Sequence, residues 1–130
     1  MPVVADFVLI QEHAVNIGDA GTQLYERTFN TGGRQVRATA LLMLMVRGLT
    51  LSNSGVVAVR INNQFIGNIE HHPGANANHW FTQMIPFPGN ILHSGDNELE
   101  IQARPYTGNP NDNFDDFSIQ SVVCFFHQNA

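Results

Sequence analysis

Turn signals recur about every ten residues along this chain, and this spacing constrains its fold more than any other feature of the sequence. Glycine and asparagine dominate the signals, because both adopt the positive φ angles that tight turns require. Short extended segments between such turns are typical of an all-β sandwich or barrel. The clearest signals are Gly32-Gly33, Asn53-Ser54-Gly55, Asn62-Asn63, Pro73-Gly74, Pro88-Gly89 and Gly108-Asn109-Pro110.

The residues on either side of Asn62-Asn63 predict a hairpin. From Val56 to Ile61, apolar residues occupy every second position, which is the pattern of a half-buried strand. A two-residue turn and a return strand from Gln64 to Glu70 complete the hairpin. A later strand, Glu98 to Ala103, alternates in the same way. We expect its leucine and isoleucine to be buried and its two glutamates, Glu98 and Glu100, to face water.

Two segments are apolar at every position, Leu41 to Val46 and Val122 to Phe126. Such a strand is covered on both faces, either because it lies deep in a sandwich beneath a loop or because a partner chain covers it. A homo-oligomer interface and a central strand under a loop therefore both remain open. The last strand, Phe117 to His127, is predicted to carry Phe117, Ile119, Val123 and Phe125 on one side.

Composition narrows the classes of function. The chain has 130 residues, enough for a single domain with one core. Its six basic residues are all arginine, and the formal net charge is -5. Nucleic-acid binding needs clustered positive charge for the phosphates, so we expect no nucleic-acid partner. The single cysteine, Cys124, excludes an intramolecular disulfide and is expected to be a buried core residue.

The ends and the apolar runs bear on location. Residues Met1 to Asp6 lack a basic start and a cleavage site, so no signal peptide is evident. The longest apolar run, Ala38 to Val46, is too short to span a bilayer. We therefore expect a protein that is cytoplasmic or exported by a non-classical route, without membrane insertion.

Three segments resemble galactose-binding-domain-like β-sandwiches. Val57 to Gly67 resembles their valine-rich hairpin, with Asn63 where glycine is usual, and Ile91 to Ile101 resembles the segment that follows it. Tyr106 to Ile119 is loosely similar to the last loop and strand of calcium-dependent, galactose-specific bacterial lectins of this architecture. The resemblance implies an all-β, antiparallel jelly-roll sandwich of the carbohydrate-binding-module or lectin type, with calcium as a possible cofactor.

The segment from Glu70 to Trp80 is the first candidate site. It contains three histidines, two asparagines and the chain's only tryptophan. An indole face can stack on a sugar ring while amides and imidazoles bond its hydroxyls. The alternatives are a core tryptophan with solvated histidines, and a zinc site, although the histidines lack the spacing that aims two rings at one ion. The candidate ligand-binding residues are His71, His72, Asn76, Asn78, His79 and Trp80.

The segment from Arg104 to Asp116 is the second candidate site. Its carboxylates and amides are the oxygen ligands that calcium prefers, although the alternative is a turn in which these side chains bond their own backbone. Arg104, Tyr106 and Asn111 are candidate sugar-binding residues, and Asp112, Asn113 and Asp115 are candidate metal ligands.

No motif predicts an enzyme. The chain has neither a Gly-x-Ser-x-Gly nucleophile elbow nor a phosphate-binding loop, and no catalytic residues are assigned. The sequence favours a lectin-like module that recognises a neutral glycan through loops at one end of the sandwich. The alternatives are a structural or assembly protein, such as a viral or appendage subunit, and a small glycan-active hydrolase that uses Asp115 or Asp116.

Overall fold

The computed structural model describes residues 3–18, 21–32, 38–49, 57–70, 79–104 and 116–129. Within these ranges the chain forms strands and a single 3₁₀ turn at Gly89–Ile91, and no helix is long and apolar enough to cross a membrane. The strands are β1 (Val3–Gln11), β2 (Val15–Ile17), β3 (Leu24–Asn30), β4 (Ala40–Arg47), β5 (Val57–Ile61), β6 (Gln64–Ile69), β7 (Phe81–Phe87), β8 (Asp96–Gln102) and β9 (Phe117–Asn129).

The strands form two antiparallel sheets. The first sheet has the order β1-β9-β4-β7, with the short strand β2 also paired to β9. The second has the order β3-β8-β5-β6. The predicted antiparallel β-sandwich is therefore confirmed. β2 was not predicted, because three residues of Val-Asn-Ile are too few to show an alternating pattern.

The core lies between the sheets and draws on both of them. Alternation decides which residues enter it: Leu42, Leu44 and Val46 of β4 are fully buried, while the residues between them are partly exposed. β8 contributes Leu99 and Ile101, as predicted, and its glutamates lie on the outer side. Burial of each such side chain contributes about 1.5–3 kcal/mol, so this two-sided core is the main stabilising feature.

A bulge in β9 reverses one predicted face. Ser121 has a positive φ of 51°, and the pairing of β9 with β4 shifts between Met43 and Met45. An extra residue in one strand moves all later side chains to the opposite face. Phe117 and Ile119 face the core as expected, but the prediction that Val123 and Phe125 share their side is wrong. Beyond the bulge the core-facing residues are Val122, Cys124 and Phe126.

Cys124 is a buried core residue, as expected. Burial raises the pKa of its thiol to about 12. The thiolate, which is the nucleophilic form, is therefore scarce at neutral pH. Cys124 faces the core while His127 lies partly exposed, with its Nδ1 3.1 Å from the Thr39 carbonyl oxygen. The two residues therefore do not form a catalytic pair.

The Asn62-Asn63 hairpin forms as predicted, with φ of 53° and 65° at its two turn residues. The Asn62 side chain then joins the turn to the segment before β8. Its Nδ2 donates to the Ile91 carbonyl oxygen at 2.9 Å and to Asn97 Oδ1 at 2.8 Å. Its Oδ1 accepts from the Glu98 N–H at 3.0 Å. These hydrogen bonds join the hairpin to the Ile91–Ile101 segment in the fold.

Candidate functional site

Four connections between the two sheets leave from the same end of the sandwich, called the loop end here. Within the first sheet, Ile17 pairs with Phe117 and Val46 pairs with Phe81. Within the second, Leu24 pairs with Gln102 and Val57 pairs with Ile69. A bridge between Ile17 and Thr22 places these two sets of strand ends together. The loop end is defined by Ile17, Leu24, Arg47, Val57, Ile69, Phe81, Gln102 and Phe117.

Both predicted binding segments begin and end at this loop end. The first runs from the end of β6 to the start of β7, and the second from the end of β8 to the start of β9. The Gln83 side chain joins β7 to the end of β6. Its Oε1 accepts from the Glu70 N–H at 3.0 Å and its Nε2 donates to the Asn68 carbonyl oxygen at 2.7 Å. Where the second segment leaves β8, the Ala103 N–H donates to the Gln23 carbonyl oxygen at 2.8 Å.

Trp80 is the best-defined member of the candidate site. It precedes β7, is only partly covered, and lies outside the buried core. The alternative in which Trp80 is a core residue therefore does not apply. The Arg47 guanidinium carbon lies 4.7 Å from the centre of the indole ring, which is a cation–π contact. Arg47 therefore covers part of one face of the ring.

Polar side chains continue from this pair across the outer face of the first sheet. Arg47 is paired with Ser118, and Ser118 is paired with Asn16. The Ser118 hydroxyl donates to Asn16 Oδ1 at 2.6 Å. The row therefore contains an indole just before β7, a guanidinium from β4, a hydroxyl from β9 on a buried serine and an amide from β2. Such a row can stack on the apolar side of a sugar ring and hydrogen-bond its hydroxyls.

The other predicted site residues divide into two groups. His79 is exposed beside Trp80, and Arg104 is exposed just after β8, so all three lie at the loop end. Trp80 lies at this end of the first sheet, just before β7, and Arg104 lies at this end of the second sheet, just after β8. The remaining predicted residues lie outside the described part of the chain, and these are His71, His72, Asn76, Asn78, Tyr106, Asn111, Asp112, Asn113 and Asp115. The calcium site therefore remains a prediction.

Arg47 was missed by sequence reasoning. It follows an apolar strand and has no motif around it, and only the pairing of β4 with β7 brings it to Trp80. The signal available in the sequence was its position, because it is the first charged residue after the apolar run.

An acidic cluster lies elsewhere, on the outer face of the second sheet. One carboxylate oxygen each from Glu26, Glu98 and Glu100 lies within 4.8 Å of the others, and among the described residues this is the one group with the composition and spacing of a metal site. A side-chain hydrogen bond that protonated Glu100 donates to Glu98, partial burial, and the charges of Glu98 and Glu26 all raise the pKa of Glu100. Arg60, opposite Glu100, acts in the other direction. The cluster lies on an open sheet surface, and exposed acidic groups of this kind are common without an ion.

A shallow cavity of about 300 Å³ lies at the opposite end of the sandwich, lined by Ala38, Thr39, Pro88, Gly89 and Asn90. None of these side chains is ionisable. Gly89 is required there, because a Cβ at this position would lie 1.8 Å from the Ala38 carbonyl oxygen. Packing of backbone against backbone therefore explains the sequence of this segment.

No known protein-family model matches the chain, and no curated protein matches it by sequence. Among solved structures, it is similar to a β-porphyranase of glycoside hydrolase family 86 from the human gut bacterium Bacteroides plebeius, with a TM-score of 0.63 and 16% identity. The match covers 97% of this chain and 21% of that one, so the chain spans about a fifth of the enzyme's length.

A second match is a family 35 carbohydrate-binding module from an environmental isolate, with 15% identity and a TM-score of 0.48, covering 94% of this chain and 96% of that one. At 16% identity, the likeness to the β-porphyranase concerns the fold alone.

Proposed function

We propose that this chain is a non-catalytic, lectin-like module that binds a neutral glycan through the loop end. The observation that carries the proposal is the Trp80–Arg47 pair, which lies partly exposed where both predicted binding segments meet the sheets. The proposed ligand-binding residues are His71, His72, Asn76, Asn78, His79, Trp80, Arg104, Tyr106 and Asn111, together with Arg47.

The chemistry of the pair suits a sugar. One side of a pyranose ring presents C–H groups, which pack on an aromatic face, and its edge presents hydroxyls, which accept hydrogen bonds from a guanidinium. Arg47 is held over the ring of Trp80, so little side-chain freedom is lost when a ligand binds. A formal net charge of -5 disfavours polyanionic ligands, which supports a neutral glycan.

The structural likeness supports the same class of ligand. A fold of this kind makes up about a fifth of an enzyme named a β-porphyranase of a glycoside hydrolase family. A protein that acts on carbohydrate therefore carries this sandwich. The likeness supports a carbohydrate ligand and leaves the identity of the sugar open, since function depends on the site and not on the fold.

Calcium is proposed as a further component, held by Asp112, Asn113 and Asp115. These residues offer the oxygen ligands that calcium prefers. Binding measured with calcium and again with a chelator tests this part separately. Equal affinity in both conditions would remove calcium from the proposal and leave the glycan site intact.

Glycan-array screening at high protein concentration, with calcium present, tests the proposal. We expect saturable binding to at least one neutral glycan by the native chain and loss of that binding in Trp80→Ala. Phe65→Ala is the matched control, because Phe65 is also an exposed aromatic residue but follows the hairpin at the opposite end. An array without hits, or equal binding by Trp80→Ala, would contradict the proposal.

A second candidate function, a structural or assembly protein, is favoured by one specific observation. Two adjoining rows on the outer face of the first sheet are apolar across all four of its main strands. A homo-oligomeric subunit needs such a surface, whereas a monomeric glycan-binding module does not.

A further inference from the structure

The outer face of the first sheet carries two adjoining rows of apolar side chains. The β-pairing places Leu9 beside Val123, and Met43 beside both Val123 and Met84. The next row contains Phe7, Phe125, Leu41 and Pro86, and the rings of its two phenylalanines lie 6.0 Å apart. The apolar face is defined as Phe7, Leu9, Leu41, Met43, Met84, Pro86, Val123 and Phe125.

Three of these side chains are exposed to an unusual degree for their type, while those of β4 and β9 are partly covered. Phe7 is 62% exposed, Met84 is 57% exposed and Leu9 is 50% exposed. Isolated exposed apolar residues are common on proteins, but a row that is continuous across a sheet marks an interaction surface. The bulge at Ser121 produces this row, because it turns Val123 and Phe125 outward beside the outward residues of β4.

The face is uncharged, which determines the kind of partner. Nothing in its two rows would repel an identical row, so a second copy related by a twofold axis can pack against it. A highly charged partner would gain no complementary contact here. Two apolar sheets stacked about 10 Å apart are also the packing that the molecule already uses inside its own sandwich.

The size of the face fits a small dimer. Four strands at about 4.8 Å spacing and two to three residues of each give roughly 300–400 Å² of flat area. Two facing copies cover roughly twice that, and a polar rim extends it towards the ~1,200 Å² at the lower end of specific interfaces. Pairing along the β7 edge is hindered, because Pro86 has no N–H to donate. The geometry therefore favours contact between faces.

We propose that this chain forms a twofold-symmetric dimer in which the apolar faces of two copies pack against each other. Interfaces of about 1,600 Å² range from micromolar to picomolar affinity, so we expect this smaller one to dissociate at about micromolar concentrations or above. The proposal does not depend on glycan binding. Trp80 lies at the end of the same sheet, beyond Thr82 and outside the two apolar rows, so each copy retains its own loop end.

Sedimentation velocity across a range of protein concentrations tests the dimer. We expect the weight-average mass to rise from 14.4 kDa towards twice that value as the native chain is concentrated. The double variant Phe7→Glu/Met84→Glu is expected to remain monomeric throughout, because it places charges on both copies of the interface. Phe65→Glu is the matched control, since it adds a charge at a 55% exposed phenylalanine on the other sheet, and it is expected to dimerise normally.

Methionine oxidation of the native chain gives a second readout that needs no variant. Met84 is expected to oxidise several-fold more slowly at concentrations where the dimer forms. A native chain that remains monomeric at a protein concentration of about a hundred times one micromolar would overturn the proposal. So would a dimer that persists in Phe7→Glu/Met84→Glu, or Met84 oxidation that does not change with concentration. A native chain that forms the dimer but binds no glycan would count against the proposed function alone.

Discussion

The two outer faces of this sandwich differ in chemistry although the two inner faces are alike. The second sheet presents Glu26, Glu98 and Glu100 to solvent, with Arg60 beside them. The first sheet presents apolar residues across β1, β9, β4 and β7. One face therefore has the composition of a solvated surface, while the other has the composition of an interface.

The residue patterns of β8 and β4 explain the difference between the two outer faces. In β8 polar and apolar residues alternate in the sequence Glu-Leu-Glu-Ile, so the outer side of the strand is polar. In β4 every second residue enters the core, but the residues between are leucine and methionine. A central strand with two apolar sides needs cover on both, and the described residues bury the inner side of β4 while covering its outer side only in part. The apolar run of β4 therefore supplies one side of the core and, in the proposed dimer, one side of the interface.

The largest expected effect separates the two sides of β4. Leu42→Ala should lower the free energy of unfolding by about 2–5 kcal/mol, because it removes a fully buried side chain and leaves a cavity. Leu41→Ala removes the same atoms from the outer side and should cost less than about 1 kcal/mol in dilute solution. Chemical denaturation of both variants measures the difference. Equal losses would mean that the outer side of β4 is covered within the monomer.

An intermediate effect is expected at Asn97, which is buried beside the hairpin and the start of the second sheet. Its Oδ1 accepts from Asn62 Nδ2 and from the His93 N–H, at 2.8 and 2.7 Å. Asn97→Ala removes the acceptor of the His93 N–H and one of the two acceptors of Asn62 Nδ2, and should cost about 1–3 kcal/mol. Asn90→Ala is the control, because Asn90 is exposed, and its effect should stay within about 0.5 kcal/mol. Similar values for both variants would show that the network does not stabilise the hairpin.

The smallest expected effect concerns the acidic face. The pKa of Glu100 is raised in the folded chain, so the folded state binds its proton more tightly than the unfolded state does. The contribution of Glu100 to stability is therefore lost as pH rises from below the pKa of the unfolded chain, near 4.5, through the raised pKa of the folded chain. Glu100→Gln should raise the melting temperature slightly at pH 7, and this gain should disappear in acid. Glu12→Gln, at an exposed carboxylate away from the cluster, should change the pH profile less. A gain for Glu100→Gln that persists at low pH would contradict this origin.

Much of the fold was predictable from local patterns. The hairpin, the alternation of β8 and the apolar strands were read from residue order, because each depends on turn chemistry or on a period of two. The bulge at Ser121 was not, because serine at positive φ carries none of the glycine or asparagine signal that marks other turns. The prediction for Val123 and Phe125 was wrong for that reason alone.

The candidate site was predictable only in part. The sequence indicated Trp80, His79 and Arg104 as candidates, and all three lie at the loop end. Arg47 could not be assigned to them, because its contact with Trp80 depends on the pairing of β4 with β7, two strands separated by the whole hairpin. Long-range pairing of this kind leaves no trace in local composition.

Nuclear magnetic resonance titration of the labelled chain with the best-binding glycan tests the central claim most directly, because it locates the site without any variant. We expect saturable shifts at the Trp80 indole N–H and at the signals of Arg47, His79 and Arg104. The signals of Glu26, Glu98 and Phe65 on the second sheet should stay unchanged. Shifts confined to the second sheet, or none at Trp80 under saturating glycan, would contradict the assignment of glycan binding to the loop end.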